Sequence, residues 1–209
     1  MHGLGGNESL ITRQVPQPSD AVRTLIRLLG DDPDRAALKE TPARVVRFMQ
    51  EWHDEQEQEI AVTMFDSEYD DLIVVRHVPV FSLCEHHMLP YYGSATVGYL
   101  PARKYTPLQQ PGPPSKPVGC QIIGLSKIPR IVRRAASRLT VQEMLTGAIA
   151  GELVEHVGGD VGVVMRCVHT CMMIRGPRAN GSETVTSTML GQFRTESSLR
   201  AELLALERE

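Results

Sequence analysis

The chain of 209 residues carries 22 Lys and Arg against 25 Asp and Glu, a formal net charge of −3, with 42% hydrophobic and 22% charged residues. That is the profile of a soluble globular protein, and it excludes the basic excess of a general nucleic-acid or membrane-surface binder. No apolar run approaches the roughly 18–20 residues that span a bilayer, and the first 17 residues lack the apolar stretch of a signal peptide. Four cysteines, Cys84, Cys120, Cys167 and Cys171, are too few and too scattered for a disulfide scaffold. A reduced, cytoplasmic compartment is therefore expected, in which the thiols stay free to bind metal.

In chain order, residues 1–17 read as a flexible arm and 18–60 as a helical region. A first helix is expected from the N-caps Ser19/Asp20 to a stop at Gly30. A second opens at Thr41-Pro42 with Val45, Val46, Phe48, Met49 and Trp52 at roughly helical spacing. The remaining residues, 61–209, read as one domain. Leu72–Phe81 and Ser94–Leu100 are β-rich, separated by a turn-like segment from Ser82 to Gly93. Pro101–Pro117 holds six of the 14 prolines and reads as a loop that can continue neither strand nor helix, an excursion at about 102–119. Ser126 caps a helix to about Arg138, and Thr140-Val141-Gln142-Glu143 has capping-box spacing for another that closes at Gly158-Gly159. Strands follow at Val161–Ile174 and Thr184–Leu190, then a short helix over Ser197–Arg208. This order predicts an α+β fold, an antiparallel sheet with helices on one face.

Three clusters carry chemistry. Cys84-Glu85-His86-His87 offers thiolate and imidazole, the preferred zinc ligands. In Cys167-Val168-His169-Thr170-Cys171, positions 167, 169 and 171 share a face if the segment is a strand. Together these predict a site of Cys84, His87 and one of Cys167 or Cys171, and spacing does not choose between the two. Three protein ligands with an open fourth position suit catalytic zinc, whose bound water is a hydroxide source, and a neutral histidine nearby can shuttle protons. His2, His53, His77 and His156 lack such neighbours and read as surface or packing residues. From Ser126 to Arg138 there are five cations and no acid, with Lys127 and Arg130 one turn apart at a helix N-terminus. That suits a polyphosphate, which Arg175 could join. No aromatic residues are interleaved with these cations, which argues against nucleic acid. Glu143 reads first as a capping residue, although a carboxylate can equally take the N1–H and 2-amino edge of guanine.

As a set these residues resemble GTP cyclohydrolase I. The matching stretches are Glu40–Arg44 (ETPAR), Ser82–Pro90 (SLCEHHMLP), Ile123–Val132 (IGLSKIPRIV), Val141–Thr146 (VQEMLT), Val168–Gly176 (VHTCMMIRG) and Thr184–Ser187 (TVTS), in order from about residue 20 to the end. The resemblance implies a tunnelling fold, whose antiparallel strands assemble from several subunits into a β-barrel backed by helices. It implies a ring-shaped homo-oligomer, typically a decamer, with GTP bound between subunits. It makes Cys84, His87 and Cys171 the zinc ligands, and His86 and His169 the proton carriers. Ser126, Lys127, Arg130 and Arg175 become triphosphate and ring-opening residues, with Ser126 among the catalytic ones, and Gln142 and Glu143 the guanine-reading pair. The implied reaction opens the guanine imidazole ring at C8, releases formate, rearranges the ribose and recloses to 7,8-dihydroneopterin triphosphate, a step of folate or pterin synthesis. A specialised relative in secondary metabolism and a non-catalytic, zinc-stabilised nucleotide sensor are the competing readings. Two departures from the family stand out: the Pro-rich excursion, and Ser94 where many members carry Lys.

Overall fold

The computed structural model describes residues 17–105 and 117–208. The arm up to residue 16 and the middle of the Pro-rich excursion, 106–116, lie outside the described residues. The chain divides into two compact units, the first ending at Glu51 and the second running over Trp52–Glu209. In the first, helix α1 (Pro18–Leu28) begins one residue before the expected caps: Gln17 is its N-cap and Pro18 takes the first helical position, where a missing N–H matters least. Gly30 follows its end with φ 82°. Helix α2 (Thr41–Glu57) starts where Thr41-Pro42 predicts, but among its residues only Pro42 is buried, and Phe48 and Met49 stay exposed.

In the second unit the alternation of apolar residues builds a five-stranded sheet. Its strands are β2 (Ile73–Cys84), β3 (Pro90–Tyr99), β6 (Leu139–Thr140), β7 (Val161–His169) and β8 (Thr184–Met189), in the order β6-β2-β3-β7-β8. All neighbours are antiparallel except β6, which runs parallel to β2. A smaller sheet of β1 (Met64–Ser67), β4 (Ala102–Tyr105) and β5 (Pro117–Ile123) has the order β1-β5-β4. It corrects the reading of Pro101–Pro117 as unable to form strand. Both ends of the excursion pair, and Pro117 opens its strand, a position that tolerates a missing N–H.

Helices α3 (Lys127–Ala136) and α4 (Gln142–Val157) bury Ile128, Ile131, Val132, Leu145, Ile149 and Leu153 against Val78, Val80, Val97, Val163 and Met165 of the large sheet. Gly158 closes α4 in the left-handed region, φ 91°, as its position after the last apolar residue predicts. The expected capping box is absent: Thr140 lies in β6, Val141 is the N-cap with no side-chain bond, and Glu143 is left exposed in the first turn.

The expectation of helices on one face is also corrected. α6 (Gln192–Thr195) and α7 (Ser197–Arg208) pack on the other face, where Leu72, Phe193 and Leu203 form a second small core. Side chains alternate along a strand, so Gly98 and Gly162 point away from Val97 and Val163 and toward α7. A Cβ on Gly98 would stand 2.7 Å from the Leu203 side chain, and one on Gly162 would collide with it, so these glycines admit the helix. Arg166 of β7 pairs with Glu207 of α7, and Arg76 donates to the Leu206 carbonyl at 2.8 Å. His77, read as an ordinary surface histidine, takes a left-handed φ of 54° in the irregularity between Val75 and Val78 of β2.

Candidate active site

The site begins where β2 ends. Cys84 is the last residue of that strand, and the turn beyond it spans only Glu85–Leu89, shorter than the Ser82–Gly93 segment expected. The Cys84 N–H donates to the Leu89 carbonyl at 2.9 Å and the Met88 N–H to the Cys84 carbonyl at 2.8 Å, with Met88 at φ 55°. His86 and His87 stand exposed on this closed turn.

The second part comes from the end of β7. The expected strand to Ile174 stops at His169, and Cys171 sits on the single-turn helix α5 (Thr170–Met173). The ladder ends for a local reason. β3 opens at Pro90, which has no N–H to offer, and its carbonyl accepts instead from the Thr170 hydroxyl at 2.6 Å. Positions 167 and 171 therefore do not share a strand face. Cys167 faces the core at 1% exposure, its thiol pushed up to about 12 by burial, while Cys171 is turned toward the Cys84 loop.

The Cys84 and Cys171 thiols and a His87 ring nitrogen all lie within 4.8 Å of one another. Burial first, then the neighbouring Cys84 thiol, raises the Cys171 thiol above its ordinary value, because two ionised sulfurs at this range repel unless a cation stands between them. Two soft sulfurs and one imidazole in reach of a single ion are a donor set suited to zinc. The Arg175 guanidinium, which only donates, stands with Nη1 2.7 Å from His87 Nε2, so that nitrogen is unprotonated and its lone pair accepts from Arg175; a metal ion bound there would displace the guanidinium. His86 Nδ1 lies 3.8 Å from the Cys84 sulfur. His169 stacks on Tyr91, ring centroids 4.7 Å apart and planes within 7°. Burial holds its imidazole below the ordinary value, against the pull of the Glu143 carboxylate and the Cys167 carbonyl, so it is neutral and able to accept a proton at pH 7.

Of the pair expected to read guanine, Gln142 is fully buried and its amide nitrogen donates to Met165 O, Thr184 O and Thr186 Oγ1, each at 3.0 Å. Its Oε1 is buried without a partner among the described residues. Glu143, released from capping, holds an exposed carboxylate in the first turn of α4.

The cationic run divides by role. Arg133 pairs with Glu55 at 2.7 Å and Arg134 with Glu152 at 2.6 Å, which leaves Lys127, Arg130 and, beyond the helix end, Arg138 without ion pairs among the described residues. Ser126 is the N-cap of α3, exposed and without a capping bond, while the Lys127 and Ile128 N–H groups are taken by the Gly124 and Leu125 carbonyls at 2.8 and 3.3 Å, so the side chains rather than free N–H groups offer the cationic surface here. Arg130 also lines a cleft of about 440 Å³ with Trp52 and Phe81; none of the metal-group residues borders it. Among the described residues no side-chain hydrogen bond joins Ser126, Lys127 or Arg130 to the Cys84–Cys171 group, and Arg175 belongs with His87 rather than with them.

Sequence reasoning missed Tyr91 and Thr170. Their signal was the period of two: Tyr91 shares a face with Ala95, Val97 and Tyr99, and only the register brings it opposite His169.

Comparison with known proteins gives a consistent answer. The family model for GTP cyclohydrolase I matches residues 19–109 and 116–208. A protein named GTP cyclohydrolase 1 from Nitrosospira multiformis is 46% identical over 188 residues, 87% of this chain and 90% of that protein. One of the same name from a Janthinobacterium species is 46% identical over 193 residues, covering 90% and 89%. Another from Mycobacterium ulcerans is 40% identical over 205 residues, covering 95% and 94%. With the fold, the Cys-His-Cys group and these matches together, the chain belongs to the GTP cyclohydrolase I family.

Proposed function

We propose that this chain is a zinc-dependent GTP cyclohydrolase I, converting GTP to 7,8-dihydroneopterin triphosphate with release of formate, in folate or pterin synthesis. The observation that carries the reading is the convergence of Cys84, His87 and Cys171 within 4.8 Å, with His86 3.8 Å from the Cys84 sulfur and His169 two residues before Cys171, stacked on Tyr91. Cys84, His87 and Cys171 would hold the zinc, which when bound supplies a water acidic enough to attack guanine C8 at neutral pH.

The remaining steps belong to the protein's own groups. Glu143 accepts from N1–H and the 2-amino group of guanine, two charge-assisted bonds that set which purine enters. Gln142, buried and anchored by its amide nitrogen to Met165, Thr184 and Thr186, serves the pair by fixing the first turn of α4 from which Glu143 reaches the base. His86 and His169 move protons at N7 and the ribose ring oxygen as the ring opens and the sugar rearranges. Lys127 and Arg130, at the α3 N-terminus, hold the triphosphate; Ser126 and Arg175 complete the ring-opening set. A homo-oligomeric ring, a decamer with sites between subunits and a barrel closed by several copies, would bring the α3 cations to the metal group of a neighbour. The four free thiols favour a reducing, cytoplasmic setting, and no helix among the described residues is long and apolar enough to cross a membrane.

The test is turnover of GTP by the zinc-loaded protein, with products followed by absorbance and mass. Formate and 7,8-dihydroneopterin triphosphate are expected, and His169→Ala should lower kcat by at least a hundredfold with zinc retained. Binding without turnover would turn the reading to a sensor; a product arrested at the formamide or deformylated stage would turn it to a specialised relative.

A further inference from the structure

We infer that Tyr91 is a positioning residue for His169: its ring is the platform that fixes the plane of the proton-carrying imidazole beside the metal group. The inference rests on the proton-transfer reading of His169 above. Tyr91 and His169 are directly opposite in the β3–β7 register, and their rings lie parallel, 7° apart, at 4.7 Å. Tyr91 is itself wholly buried, at 0% exposure, in the same core cluster as Cys84 and Cys167, so the platform cannot swing away. A histidine at the end of a strand is otherwise free to turn about χ2, a broad torsion.

The covalent neighbours make the link directional. Tyr91 follows Leu89 and Pro90, the residues that close the Cys84–His87 turn and accept the Thr170 hydroxyl. One short segment, Leu89–Tyr91, therefore ties three things together: the turn bearing two of the candidate ligands, the backbone between His169 and Cys171, and the plane of the His169 ring. Displacing a proton carrier by about 1 Å can cost on the order of a hundredfold in rate. The ring, not the phenol oxygen, does this: the oxygen is buried, and burial pushes the phenol up to about 12, so it stays protonated and takes no part in acid–base exchange at neutral pH.

The experiment compares Tyr91→Phe, Tyr91→Leu and His169→Asn as zinc-loaded full-length proteins. Tyr91→Phe keeps the platform and should retain kcat within about twofold. Tyr91→Leu removes it and should lower kcat roughly ten- to a hundredfold, with KM for GTP and bound zinc unchanged, a split that a merely structural role would not produce. In wild-type protein labelled with 13C-histidine, the ring resonances of His169, assigned by their loss in His169→Asn, should be shifted upfield by the stacked Tyr91; Tyr91→Phe should keep this shift. The inference is overturned if Tyr91→Leu keeps wild-type kcat, if its KM rises or its zinc content falls together with kcat, if Tyr91→Phe loses as much as Tyr91→Leu, or if the wild-type His169 resonances show no upfield shift. The last measurement decides the matter even if Tyr91→Leu does not fold. If His169→Asn turns over normally, the proton-transfer reading itself fails, an outcome distinct from failure of the Tyr91 platform.

Discussion

Glu207→Gln separates the electrostatics of α7 from its packing. Glu207 is 8% exposed, and its two carboxylate oxygens accept from Nε and Nη2 of Arg166, the second bond at 3.1 Å. This guanidinium outweighs the opposing effect of burial and holds the Glu207 carboxyl below its ordinary range. A carboxyl depressed in the folded state contributes stability that is complete above its unfolded value, about 4.3, and is lost as pH falls through the folded value. Gln keeps the shape and one acceptor but not the charge. Arg166 is 35% exposed and still reaches Glu183 at 3.4 Å, so the substitution leaves no stranded buried charge. The loss is therefore that of a charge-assisted bond, about 1.5–2 kcal/mol at pH 7, rather than the roughly 3–5 kcal/mol of a broken, fully buried pair. Urea unfolding at one fixed protein concentration, followed by far-UV circular dichroism from pH 7.5 down to 3.5, measures it. The wild-type midpoint should fall below about pH 5 and the gap between the two proteins should close. A gap that is constant or widens on acidification would refute the reasoning.

Two further perturbations probe the site and the second core. Cys84→Ser replaces a thiolate with a hydroxyl, a poor zinc ligand, so zinc content by atomic emission and GTP turnover should fall together; full zinc retention would remove Cys84 from the ligand set. Leu203→Ala should cost about 4 kcal/mol, in the upper part of the range for buried leucines. Gly98 and Gly162 lie beneath it with no side chains to relax into the space, and a urea-derived loss under about 2 kcal/mol would contradict that packing.

The elements with strong local signals were legible before any coordinates. The Thr41-Pro42 start of α2, the Gly158 end of α4 and the α7 span follow from caps and periodicity. Where a local signal pointed the wrong way, tertiary pairing overrode it. Thr140 is spaced for a capping box, yet β6 claims it for a parallel pairing with Cys84. The prolines of the excursion argue against strand, yet residues on both sides of 106–116 pair with each other, and β5 pairs in turn with β1. The charge run from Lys127 to Arg138 looked uniform in sequence; Glu55 and Glu152, distant in the chain, select which cations remain without ion pairs.

By itself the sequence determined the chemistry on offer. It held two thiol- and imidazole-bearing clusters, a cationic helix start, a Gln-Glu pair and, through six ordered stretches, a resemblance to one family. Residue types and near spacings are local properties, so they can be read along the chain. Only the tertiary structure decided how these parts meet. It ended β7 at His169 and brought Cys171, not Cys167, to Cys84 and His87; it set α7 against two glycines; and it laid His169 on Tyr91. Each of those outcomes depends on strand register, which couples residues far apart in the chain, and a one-residue slip would send every side chain of β7 to the opposite face.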